Sequence, residues 1–62
     1  MNPVGMQITD VYAYWLECVK NDMPGPLLDY ETAQLLAEMC QKRGYKVIIE
    51  EATEELYEVN LE

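Results

Sequence analysis

Leu28–Glu50, LDYETAQLLAEMCQKRGYKVIIE, reads as one helix, a glycine stop and a strand. Asp29 carries a short carboxylate that can accept hydrogen bonds from the free amides of a first turn, so it is the expected N-cap. Glu31 then falls in the first turn and Lys42 and Arg43 in the last, each charge at the end of the helix dipole that favours it. Gly44 can take the left-handed conformation of a C′ residue without a Cβ clash, so the helix is expected from Tyr30 to Arg43. Ala33, Leu36, Ala37 and Cys40 share one face at helical spacing and are the expected core. Leu35 and Met39 widen the apolar stripe beyond what one sheet contact requires, which points to a second packing partner.

Downstream, Tyr45, Val47 and Ile49 alternate with Lys46, Ile48 and Glu50, and the β-branched density favours a strand. The alternation returns with Tyr57, Val59 and Leu61 against Glu58, Asn60 and Glu62. The polar run Glu51–Glu55 between them reads as the loop of an antiparallel hairpin. Upstream, KNDMPGP over residues 20–26 is a loop, because two prolines around a glycine continue neither a helix nor a central strand. Leu27 and Leu28 lead from it into the cap, placed to staple the start of the helix.

Residues 8–19, ITDVYAYWLECV, carry two conflicting signals. Ile8, Val11, Tyr12, Trp15 and Val19 form a helical stripe with Thr9 as a possible N-cap. The concentration of Val, Tyr, Trp and Cys instead favours a pleated surface. The strand is the reading carried forward, because strand, turn, capped helix and strand form a self-consistent unit. The expected fold is therefore α+β, a small antiparallel sheet with one main helix (βαββ), with ααββ, residues 8–20 helical, as the alternative. The order of GP, a capped helix with an A-x-x-x-A spacing, then GY and a β-branched strand resembles small βαββ modules, including halves of ferredoxin-like folds, in architecture only. A strand here would be apolar on both faces and would need a second molecule as cover, hence an expected homodimer. In the helical alternative the core closes within one chain. Residues 1–7 are expected to be a flexible N-terminus before a single domain over 8–62.

A chain of 62 residues buries only about 60% of its unfolded surface and is marginally stable. Cys18 and Cys40 have no paired-ligand spacing and the chain has no histidine, so neither a zinc site nor any other cofactor is expected. Two buried reduced thiols fit a cytoplasmic setting. The first ten residues have neither a basic start nor a long apolar run, so no signal peptide or membrane span is expected there.

The net charge of −8 comes from twelve acidic and four basic residues, and the six glutamates after Val47 meet no base. Direct binding to nucleic acid or to an anionic membrane is disfavoured, since both need a cationic face. Glu50, Glu51, Glu54, Glu55 and Glu58 instead form a candidate surface for a protein partner with a basic face. The same residues lack the glycine and spacing of a calcium loop. Tyr12 and Tyr14, with Leu35 and Met39, are the candidate self-association residues, as aromatic pairs in an acidic field do not suit base stacking. The chain has no serine or histidine, and Thr9, Thr32 and Thr53 each fit a cap or turn, so no catalytic residue is assigned. The expected function is that of a small acidic non-enzymatic interaction protein, an inhibitor or modulator mimicking nucleic acid on a nucleic-acid-binding protein, of phage or mobile-element type. The alternative is a self-associating structural or assembly module whose glutamates serve solubility alone.

Overall fold

The structure is a computed structural model and describes residues 7–62. Helix α1 spans Ile8–Lys20 and helix α2 Tyr30–Lys42, followed by strands β1, Val47–Glu51, and β2, Tyr57–Leu61. The two strands pair antiparallel, with Ile49 opposite Val59 and Glu50 opposite Glu58. The α+β class holds, and the arrangement is ααββ. The loose segment expected over residues 1–7 falls mostly on residues 1–6, outside the described ones.

Residues 8–20 form a helix and not the strand that propensity favoured. Intrinsic helix penalties for valine, tyrosine and tryptophan amount to about 0.5 kcal/mol each. Burying a large apolar side chain returns roughly 1.5–3 kcal/mol, and the helix buries Val11, Trp15 and Cys18 together. Its cap is Gln7 rather than Thr9: the Asp10 carboxylate accepts a hydrogen bond from the Gln7 N–H at 3.3 Å, and the Gln7 C=O accepts from the Val11 N–H at 3.1 Å.

Asp29 is the N-cap of α2 through its backbone, its C=O accepting from the Ala33 N–H at 2.9 Å, without a capping bond from its side chain. Ala33, Leu36, Ala37 and Cys40 are buried, as their spacing predicts. They join Val11, Trp15, Val47 and Val59 in one core. Arg43 is the C-cap, one residue short of the expected helix end. The loop between strands is likewise shifted, because Glu51 belongs to β1.

Both helices end in the same six-to-one motif. The Tyr45 N–H donates to the Cys40 C=O at 3.0 Å across Gly44, and the Met23 N–H donates to the Cys18 C=O at 2.8 Å across Asp22. Gly44 has φ 93° and Asp22 φ 56°, so one helix has the residue this geometry favours and the other an aspartate beside a dipole end that repels it. Asp22→Gly is expected to stabilise the protein by about 0.5–1 kcal/mol and Gly44→Ala to destabilise it by about 1 kcal/mol. Urea unfolding of the two variants checks both signs; a destabilised Asp22→Gly would contradict the assignment.

The outer edge of β2 is covered over its first half, at Tyr57 and at the Val59 carbonyl. Leu28 and Tyr57 exchange both backbone hydrogen bonds, at 2.9 and 2.6 Å. Beyond them the Trp15 indole Nε1–H donates to the Val59 C=O at 2.7 Å. Leu28 is thus held by the sheet edge and packs on the core, while Leu27 is half exposed and lies outside that cluster.

Candidate interaction surface

The hairpin gathers the glutamates that the sequence singles out. Side chains alternate across the sheet, so Val47, Ile49 and Val59 face the helices, while Ile48, Glu50, Glu58 and Asn60 share the open face. Glu50 and Glu58 are directly opposed. Two like charges at such a pair cost about 0.2–1 kcal/mol, and Asn60 softens the repulsion. Its side-chain amide donates to Glu50 Oε1 at 2.6 Å and reaches Glu58 Oε1 at 3.5 Å. Asn60, absent from the candidate set, is the residue that orients these carboxylates.

Glu54 and Glu55 lie in the turn at residues 52–56. Thr53 Oγ1 accepts from the Leu56 N–H at 3.1 Å and the Glu55 N–H at 3.4 Å. The Ala52 N–H donates to the Leu56 C=O at 2.9 Å. The glutamates are therefore mounted on an ordered turn. Glu51 stands apart, on the helix side of the sheet opposite Tyr57. Glu50, Glu51, Glu54 and Glu55 are exposed and Glu58 is half-buried.

The four candidate self-association residues sit in different surroundings. Tyr12 is used internally, stacked on Trp15 at 6.0 Å, with the Arg43 guanidinium 4.7 Å from its ring centre. Burial raises the pKa of its hydroxyl, and the nearby Tyr45 adds to the rise while Arg43 opposes it. Tyr14 is 56% exposed on α1. Leu35 and Met39 line an open groove with Ile8, Glu38, Lys42 and Arg43. Ile8 brings the start of α1 to this groove, and Leu35 remains 50% exposed.

Cys18 and Cys40 are free and buried. Among the described residues no group of three or more His, Cys, Asp or Glu is placed to hold a metal ion, and no helix is long and apolar enough to cross a membrane. No protein-family model matches the chain, and neither a curated protein nor a solved structure does.

Proposed function

We propose that the chain is a small acidic interaction protein that acts without turnover, laying its glutamate-bearing hairpin on the basic surface of a nucleic-acid-binding protein as an inhibitor or modulator. The observation that carries this reading is the mounting of Glu50, Glu54, Glu55 and Glu58 on a short hairpin, with Thr53 fixing the turn and Asn60 fixing the strand carboxylates. Charges held in place by a sheet lose little side-chain entropy on binding, and a one-signed patch accelerates encounter with an opposite one. The opposed carboxylates of Glu50 and Glu58 repel one another, a cost that contact with a basic surface would relieve. The buried, reduced cysteines support a cytoplasmic setting, and phage or mobile-element proteins are the class in which such small acidic inhibitors fit.

The test is a pulldown from lysate followed by a salt series, with Glu54, Glu55 and Glu58 all changed to Gln as the matched variant. Captured partners are expected to be basic, and their affinity to fall as added salt shortens the Debye length below about 8 Å. The variant is expected to keep its fold and to bind about tenfold more weakly, with a flattened salt dependence. Retention of acidic or neutral proteins alone, or binding indifferent to both salt and the substitutions, would remove the proposal.

A further inference from the structure

We infer that β1 is a self-pairing edge, joining two copies of this chain into a continuous four-stranded sheet. This goes beyond the acidic-partner reading and does not depend on it.

The direction of each backbone group follows from the bonds already described. Tyr57 spends its N–H and C=O on Leu28, and Val59 its C=O on Trp15, both away from β1. In an antiparallel ladder such residues alternate with those that bond the neighbouring strand, so Glu58 and Asn60 bond β1. Their partners in register are Glu50 and Ile48. The Glu62 N–H donates to the Lys46 C=O at 2.9 Å, continuing the same alternation. Val47, Ile49 and Glu51 therefore direct their N–H and C=O groups outward, and among the described residues none of these groups has another recorded hydrogen bond. The two edges of the sheet are unequal: Leu28 and Trp15 occupy Tyr57 and the Val59 C=O on β2, while among the described residues nothing comparable occupies β1.

An open row of backbone groups accepts an added strand, and the side chains of β1 select another β1. Lys46, Val47, Ile48, Ile49 and Glu50 run from cation through apolar residues to anion. Charges flanking an edge strand ordinarily deter pairing. Here, an antiparallel second copy reverses the order, so each end meets its opposite.

One register satisfies backbone and side chains together. Val47 exchanges both hydrogen bonds with the second copy's Ile49, and Ile49 with the second copy's Val47. Ile48 then meets its own counterpart at a closely spaced pair, and Lys46 stands across from the second copy's Glu50 on the same open face, twice by symmetry. Ile48 is 40% exposed in the single chain, and this contact covers it. Sliding the strands by two residues keeps the backbone bonds but sets Ile48 against a charged residue and separates Lys46 from Glu50. A two-fold axis through the Ile48 pair closes the assembly as a dimer, because the pairing is isologous and uses the β1 edge of each chain once. Glu54, Glu55 and Glu58 remain outside the pairing.

The test is light scattering across a dilution series on the wild-type chain, Lys46→Glu, Glu50→Lys, and an equimolar mixture of these two variants. The wild type is expected to show a concentration-dependent dimer. Each variant alone places like charges at both symmetric pairs and is expected to dimerise at least about tenfold more weakly. In the mixture both pairs are again of opposite sign, and dimerisation returns to within about threefold of wild type as a heterodimer. Far-UV circular dichroism verifies that both variants fold. A wild type that stays monomeric up to millimolar concentration, single variants that dimerise as well as wild type, or a mixture that does not recover would each overturn the inference.

Discussion

Trp15→Ala is expected to cost about 3–5 kcal/mol, enough to unfold most of a domain whose total stability at this length is roughly 3–9 kcal/mol. Trp15 is the only tryptophan of the chain and is 1% exposed. Its ring packs between two tyrosines, stacked on Tyr12 and edge-on to Tyr45 at 5.7 Å and 77°. Its indole N–H holds the Val59 carbonyl across 44 positions of sequence. One side chain thus joins the first helix to the last strand and to the turn that leads into the sheet. Trp15→Phe separates the contributions, since it keeps most of the apolar contact and gives up the bond. The expected loss is about 1–2 kcal/mol, the cost of one buried carbonyl left without its donor. Urea unfolding followed by far-UV circular dichroism measures both, because fluorescence loses its probe in either variant. A Trp15→Ala chain within about 1 kcal/mol of wild type would mean that α1 is an appendage and the hairpin and α2 fold without it.

The importance of Trp15 also explains what could be read from the chain and what could not. Helix α2 and the hairpin were legible because their signals are local: a cap at Asp29, Gly44 at the left-handed position, and alternation on both sides of a polar turn. Residues 8–20 were not, because propensity and periodicity disagree there, and the contact that decides between them is made with a strand at the other end of the chain. Residues 8–20 meet the outer edge of that strand through the Trp15 indole at Val59, while Leu28 forms the one backbone bridge there, at Tyr57. The assignment of a two-sided apolar strand falls away, and with it the argument for a dimer from a missing cover. The self-pairing inferred for β1 rests instead on its open backbone groups and its reversed charges. The acidic set was visible as composition alone. Register was needed to show that Glu50 and Glu58 face each other while Glu51 lies on the opposite side, and that Asn60 bridges the first two.

Alkaline pH is expected to destabilise the fold through Cys40, which is 0% exposed. Burial pushes its thiol up to about 11 from an ordinary 9.0, with Arg43 opposing the shift. At neutral pH the thiol is protonated in both the folded and the unfolded chain and contributes no pH dependence. Once pH rises above the ordinary value, the unfolded chain releases the proton while the folded chain keeps it. The unfolded state is therefore favoured progressively between about pH 9 and 11, and the change levels off above the folded value. The expected loss is on the order of 2 kcal/mol, with the raised Tyr12 hydroxyl adding to it in the same direction. Growing negative charge from other groups acts on any variant, so Cys40→Ala is the control that isolates the thiol. It should be less stable than wild type near pH 7 by about 1 kcal/mol, from the lost volume, yet fall less steeply above pH 9, bringing the two stability curves together. Curves that stay parallel from pH 7 to 11 would show that Cys40 ionises as readily in the folded protein as in the unfolded chain, and that the core around Leu36 and Val59 admits water.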